Sequence, residues 1–318
     1  GPMSLFEPWI LLGMAAGVFQ ALRVAGQKAL SQSTTADIQL SSWSAALARC
    51  LFGLPWAVLI LVALLILCAA PPKLSLTFWL WTAAAAGLQI LATVQQTILL
   101  GKRNLAIGVV YVKTEVVLVA IVGSTPFFAQ YLSGLQWMAI LVSVIGVVVI
   151  TRAKLGNTGG SVWDLRSAWL GLSGGALLAA TSLTLREGGL VLIRDAAEVG
   201  VQVSPAVAGM TTLVGLLIIQ CVAVITVMAL RDASEFGRVT KRLRPMAYTG
   251  LLSALGSACW FVGYVLMSPA LVKSVGQVEF FAAVILTFLM FKERPTRTEW
   301  VGMMFILASI LMLLLSTL

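Results

Sequence analysis

Five ionisable side chains stand inside long apolar stretches of the sequence. They are Arg23, Arg49, Lys113, Glu115 and Glu279. A charged side chain that faces hydrocarbon costs about 2.5–3.5 kcal/mol or more at the centre of a bilayer. These groups must therefore face a water-filled cavity or one another. The first case would create a binding site for a small charged molecule, and the second would fix the register of neighbouring helices.

Two of these charges are close neighbours in the sequence. Lys113 and Glu115 are two residues apart, which separates them by roughly 200° around a helix. We therefore expect them to point in different directions. One would line a cavity, and the other would pair with a neighbouring helix.

Uncharged polar side chains form a second pattern. Thr82, Gln89, Thr93 and Gln96 are seven, four and three residues apart, so they form one stripe along a helix. A later apolar stretch carries a similar stripe of Ser253, Ser257, Trp260 and Tyr264. Such groups either line a cavity or form interhelical hydrogen bonds that only hold a bundle together. The binding residues that we predict are Gln20, Gln89, Thr93, Gln96, Tyr111, Lys113, Glu115, Ser257, Trp260, Tyr264 and Glu279.

This set of side chains suits an amino acid or a related metabolite. Cations would hold a carboxylate, acceptors would hold an ammonium group, and aromatic walls would hold an apolar side chain. Catalysis is not indicated, because the sequence contains no histidine, no paired-aspartate motif, no G-x-S-x-G sequence and no metal-ligand spacing. We therefore expect no catalytic residue, no metal and no cofactor.

Composition identifies the elements that must position these residues. Hydrophobic residues make up 60% of the 318 residues and charged residues only 10%, whereas soluble domains contain about 25% charged residues. Apolar runs of about 20 residues recur along the whole chain, and each could cross a bilayer as a helix. We predict an all-α polytopic membrane protein with ten transmembrane helices, at residues 8–30, 40–69, 76–100, 104–124, 134–151, 166–186, 203–230, 246–267, 272–291 and 298–317.

Positive charge gathers at the edges of these spans. The net charge is +9, but cations at membrane edges indicate cytoplasmic anchors rather than a nucleic-acid surface. The connections after even-numbered spans hold four cations, namely Lys73, Arg186, Arg194 and Lys273. Those after odd-numbered spans hold fourteen, namely Lys28, Lys102, Arg103, Arg152, Lys154, Arg166, Arg231, Arg238, Lys241, Arg242, Arg244, Lys292, Arg294 and Arg297. We therefore predict that both termini lie in the periplasm.

The two halves of the chain resemble each other. Small residues four apart occur at Gly13 and Gly17 and again at Gly171 and Gly175. The ends of the halves contain Phe-Ala-Gln at 128–130 and Phe-Lys-Glu at 291–293. We predict two five-helix repeats, at residues 3–155 and 162–318. An odd number of spans per repeat puts the copies in opposite orientations, as in carriers built from inverted repeats.

Particular segments point to a known family. Arg49 is followed by Pro55, and the halves end with TPFFAQYLSGLQWMAILVSVIGVVVI and LTFLMFKERPTRTEWVGMMFILASILMLLL. In these features the chain resembles the drug/metabolite transporter superfamily, in its ten-helix form with two EamA-type repeats. The glutamate that the family carries before the fifth helix of each repeat is present as Glu293, whereas the first half has Gln130. Within the superfamily, the chain is most similar to bacterial aromatic amino acid exporters.

The resemblance implies a secondary transporter that exports small metabolites, above all aromatic amino acids, across the bacterial inner membrane by alternating access. Its partners would be the substrate and the lipid bilayer, in a monomer or homodimer, with no nucleic acid. The alternatives are a carrier of a different metabolite or drug, a channel, and an intramembrane transferase that uses Glu115 and Glu279. If transport is coupled to protons, these two glutamates are the acids best placed to carry them.

Overall fold

The computed structural model describes residues 7–32, 42–68, 70–100, 113–155 and 165–318. All regular structure in these ranges is helical, and nine segments are long and apolar enough to cross a membrane. The prediction of an all-α polytopic membrane protein is thereby confirmed. The predicted span at 104–124 lies partly outside the described residues, and its described part forms a short helix.

We number the described helices in chain order. They are α1 (Pro8–Gln32), α2 (Ser42–Leu51), α3 (Leu54–Cys68), α4 (Leu76–Leu100), α5 (Glu115–Gly123), α6 (Gly134–Leu155), α7 (Leu165–Glu198), α8 (Pro205–Asp232), α9 (Glu235–Thr240), α10 (Leu243–Leu266), α11 (Pro269–Gly276), α12 (Glu279–Phe291) and α13 (Arg297–Ser316).

Helix α7 is much longer than predicted. The span was predicted to end at residue 186, but the helix continues through Gly188 and Gly189 to Glu198. These glycines allow a neighbouring helix to pack closely against α7. A Cβ on Gly189 would lie 2.5 Å from a methyl group of Val265, and this packing stabilises the helix beyond the pair. Arg186, which we placed in a connecting loop, instead lies within α7 and donates to the carbonyl oxygens of Tyr264 and Val265 at the end of α10.

Two of the predicted spans are interrupted. The span at 40–69 divides into α2 and α3 at a turn that begins at Phe52. Pro55 follows that turn, and its missing N–H removes one helical hydrogen bond. The span at 272–291 begins earlier, at Pro269, and divides into α11 and α12. Lys273, which we counted with the cations at the edge of this span, therefore lies about one turn inside it.

The turn between α11 and α12 resembles a turn in the first half of the chain. A turn at Lys113 and Thr114 precedes α5, as Gln277 and Val278 precede α12. Each of the two helices then begins with a glutamate, Glu115 or Glu279. Beyond them, Ala129 and Lys292 both adopt left-handed backbone conformations, with φ of 52° and 54°. Non-glycine residues rarely adopt this conformation, so the two segments share an uncommon backbone feature.

The described helices pack in several close pairs. Helix α1 packs against α10, and α4 packs against α7, which are the same pair of positions with the halves exchanged. Helices α6 and α13, the last of each half, pack against each other. Glycines allow the latter approach, because a Cβ on Gly146 would lie 2.6 Å from the Gly302 carbonyl oxygen. Small residues commonly bring membrane helices together in this way.

Candidate functional site

A central cavity of about 310 Å³ lies between helices of both halves. Its wall comes from α1, α2, α4, α5, α6, α7, α10, α11 and α12, and from the turns that precede α5 and α12. The volume is within the lower range of small-molecule sites, which begins at about 300 Å³. The polar and aromatic residues of this wall are Gln20, Arg23, Arg49, Gln89, Thr93, Lys113, Glu115, Thr181, Ser182, Ser253, Ser257, Trp260, Phe261, Tyr264, Lys273, Gln277, Glu279 and Phe280.

Glycines bring α1 to the break between α11 and α12. A Cβ on Gly17 would lie 2.4 Å from the Gly276 carbonyl oxygen and 3.0 Å from the Glu279 backbone nitrogen. Gly13 packs in a similar way, because a Cβ there would lie 3.1 Å from the Val272 carbonyl oxygen. The small residues noted in the sequence therefore hold the start of α12 beside the cavity.

One end of the cavity contains an ion pair surrounded by aromatic rings. Lys273 Nζ lies 3.1 Å from Glu115 Oε1, with side-chain exposures of 13% and 20%. The same ammonium group lies 5.9 Å from the ring centroids of both Trp260 and Tyr264, which stack at 6.0 Å. Cation–π attraction at such distances strengthens as water is excluded. Lys273 is thus held by a carboxylate and by two aromatic faces.

A second group of charges comes from α1 and α2. Arg23 Nη1 donates to Ser253 Oγ at 3.3 Å, and Arg49 Nη2 donates to Thr93 Oγ1 at 3.2 Å. The Thr93 hydroxyl itself donates to the backbone carbonyl oxygen of Gln89 at 3.0 Å. Gln89 Oε1 in turn accepts a 2.6 Å hydrogen bond from Gln220 on α8. Arg49 is therefore positioned by α4, and Arg23 by α10.

The remaining two charges of the cavity lie at the helix breaks. Glu279 begins α12 and interacts electrostatically with Arg23. A carboxylate in the first turn of a helix is stabilised by the helix dipole. Lys113 Nζ lies 5.4 Å from the ring centroid of Phe280. The cavity thus carries charges of both signs together with aromatic surface.

Several buried polar atoms at this site have no hydrogen-bond partner among the described residues. They are Nε of Arg23 and of Arg49, Oε2 of Glu115 and Oε1 of Gln277. Leaving such an atom unpaired costs about 1–3 kcal/mol, and more when the group is charged. Water or a bound molecule in the cavity would satisfy them.

Most of the predicted binding residues meet at this cavity. Those that line it are Gln20, Gln89, Thr93, Lys113, Glu115, Ser257, Trp260, Tyr264 and Glu279. Tyr111 lies outside the described residues, and so does the side chain of Gln96. Their predicted roles stay predictions.

Two details of the prediction are wrong. Lys113 and Glu115 line the same cavity, because Lys113 lies in the turn before α5 and the helical angle between them does not apply. Thr82 does not share the cavity with Gln89 and Thr93. It is fully buried, close to Gly188 and Gly215 on α7 and α8.

Sequence reasoning missed several lining residues, above all Lys273. The Ser268–Pro269 pair could have indicated where this span begins, because proline is favoured in the first turn of a helix. A start at Pro269 places Lys273 about one turn inside the span. Thr181 and Ser182 on α7 were also missed. Both hydroxyls bond to backbone carbonyls of their own helix, and nothing in the local sequence distinguishes them. Among the described residues, no group of histidine, cysteine and acidic side chains could hold a metal ion.

Comparison with known proteins agrees with this architecture. Residues 175–315 match the EamA-like transporter family, and they lie within the predicted second repeat. A solved crystal structure with 13% sequence identity covers 96% of this chain and 97% of its own, with a TM-score of 0.64. That similarity shows the fold alone. No curated protein sequence matches the chain. The family match and the fold together support a membrane transporter of small molecules.

Proposed function

We propose that this protein is a secondary transporter that moves an aromatic amino acid or a related carboxylate metabolite across the bacterial inner membrane. The observation that carries the proposal is the central cavity, where charged and aromatic side chains from both halves converge. Carriers built from inverted repeats bind their substrates at such a position, beside discontinuous helices. The division between α11 and α12 fits that description, and a turn at Lys113 and Thr114 likewise precedes α5.

Each part of an aromatic amino acid has a counterpart in the wall. Arg23 and Arg49 offer guanidinium groups, which bind carboxylates in a fixed planar geometry. An ammonium group would have Glu115 and Glu279 as its acceptors, and each of these already has a cationic neighbour. Trp260 and Tyr264 form a stacked aromatic surface beside them. Export by alternating access, with the two repeats at 3–155 and 162–318 and both termini in the periplasm, completes the proposal.

Transport into sealed proteoliposomes tests this function. We expect uptake of labelled phenylalanine or a related aromatic carboxylate, and no chemical change of the substrate in detergent solution. Trp260→Ala should reduce the transport of aromatic compounds more than that of small aliphatic ones, because the ring contact is worth about 0.5–1.5 kcal/mol.

The matched control replaces a tryptophan that faces outward. Trp169 is 70% exposed, and Trp169→Ala should leave the substrate preference unchanged. Equal losses for all substrates in Trp260→Ala would assign that ring to packing. Chemical conversion of a compound in detergent solution would contradict the carrier function and indicate an enzyme instead.

A further inference from the structure

We propose that the cavity selects aromatic carboxylates with a net negative charge over zwitterionic amino acids. This inference rests on the proposed transport function and narrows its substrate class. Four cations line the described part of the cavity, namely Arg23, Arg49, Lys113 and Lys273. The carboxylates there are Glu115 and Glu279. With all six groups ionised, positive charge is in excess by two.

The two carboxylates already have cationic neighbours. Glu115 pairs with Lys273 at 3.1 Å, and Glu279 interacts with Arg23. Each glutamate also begins a helix, where negative charge faces the positive end of the helix dipole. A substrate ammonium group would have to compete with lysine or arginine for either acceptor. The cavity therefore offers little to a second positive charge.

The other two cations lack such compensation. In the part of the chain that the structure describes, neither Arg49 nor Lys113 forms an ion pair with a carboxylate. Arg49 donates to the neutral hydroxyl of Thr93, and Lys113 lies near the Phe280 ring. Nε of Arg49 is buried without a hydrogen-bond partner among the described groups. An uncompensated buried charge is costly, so a bound anion would stabilise the site.

The surrounding surface defines the rest of the ligand. Trp260, Tyr264 and Phe280 add aromatic area beside the cations. A ligand with a ring and one carboxylate would satisfy both features, and a second carboxylate would match the excess of two charges. We therefore expect preference to follow charge at constant ring chemistry: dianion first, monoanion next, and zwitterion after them.

Competition in proteoliposomes that contain the full-length protein tests this order. The probes share one ring: phenylsuccinate is a dianion, phenyllactate a monoanion, and phenylalanine a zwitterion. Uptake of labelled phenyllactate is measured against each unlabelled probe. We expect phenyllactate to compete at least about tenfold better than phenylalanine, a difference of about 1.4 kcal/mol. Phenylalanine that competes equally well or better would overturn the inference and leave the transport function intact.

A pair of variants tests the origin of the preference. Arg49→Gln should reduce the anion preference at least several-fold, whereas Arg49→Lys, which keeps the charge, should retain most of it. Glu115→Gln removes a negative charge and should increase the preference, an effect that simple misfolding does not produce. An unchanged or smaller preference in Glu115→Gln would contradict the charge argument. If none of the probes is transported or bound, the inference and the proposed function both fail.

Discussion

The contact between Gly276 and Trp260 allows a sharp test of the aromatic wall. A Cβ on Gly276 would lie 2.0 Å from Cη2 and 2.7 Å from Cζ3 of the Trp260 ring. Carbon atoms pack at about 3.5–4.0 Å, so Gly276→Ala must displace the ring edge by about 1.5 Å or more. The ring stacks on Tyr264 and lies near Lys273, so the displacement disturbs the whole wall.

Two effects should follow from Gly276→Ala. Forcing an extra methyl group into a packed site costs about 1–3 kcal/mol, which should lower the midpoint of thermal unfolding in detergent. Aromatic ligands should also lose a contact worth about 0.5–1.5 kcal/mol, or roughly two- to tenfold in affinity. Small aliphatic ligands should lose less. Competition for transport measures the ratio between the two classes.

Gly256→Ala is the matched control, because Gly256 lines the same cavity. A Cβ there would meet Phe19 at 3.6 Å, an ordinary contact. This variant should therefore retain both stability and ligand preference. In a Trp260→Ala background, Gly276→Ala should cost little, since the ring that it displaces is gone. Additive losses in the double variant, or equal behaviour of the two alanine variants, would refute the assigned contact.

Three further results are expected. Gly302→Ala should lower thermal stability by about 1–3 kcal/mol, because its Cβ would lie 2.7 Å from the Gly146 carbonyl oxygen; an unchanged unfolding midpoint would contradict the close approach of α6 and α13. Lys273→Met should destabilise the protein by leaving Glu115 without its cation, and a second change, Glu115→Gln, should restore part of the loss in the same unfolding assay. A topology reporter fused after Leu318 should report a periplasmic location, whereas a cytoplasmic signal would reverse the predicted orientation.

Hydropathy predicted most of the architecture, because each apolar run has the length that a bilayer requires. It could not place the helix breaks. Gly276 directly precedes the turn at Gln277 and Val278, but glycines such as Gly146 and Gly256 lie inside unbroken helices, so a glycine alone does not mark the position. Lys273 was counted at the edge of a span because that span was predicted to begin at residue 272 rather than at Pro269. The pairing with Glu115, 158 residues away, is what keeps that lysine inside the span.

The polar stripe on α4 shows a different limit of sequence reasoning. Helical spacing correctly placed Gln89 and Thr93 on a common face, and both line the cavity. Thr82 continues the same spacing, yet it packs against glycines of α7 and α8. Regular spacing shows only that side chains lie on one face of a helix. The residues that pack against that face differ from one end of the helix to the other. Tertiary packing, which the spacing does not contain, decides where the cavity ends.

Charges within apolar runs were the most informative sequence signal, and the helix breaks explain why. Irregular backbone within a membrane span is tolerated only where it lies inside the protein or beside a water-filled cavity. The same surroundings are the ones in which a charge costs least. Glu115 and Glu279 each follow a turn directly, and both line the central cavity. The irregular backbone and the carboxylates therefore lie beside the same cavity. The cost of burying charge thus identifies the cavity residues even where local sequence preferences cannot identify the breaks.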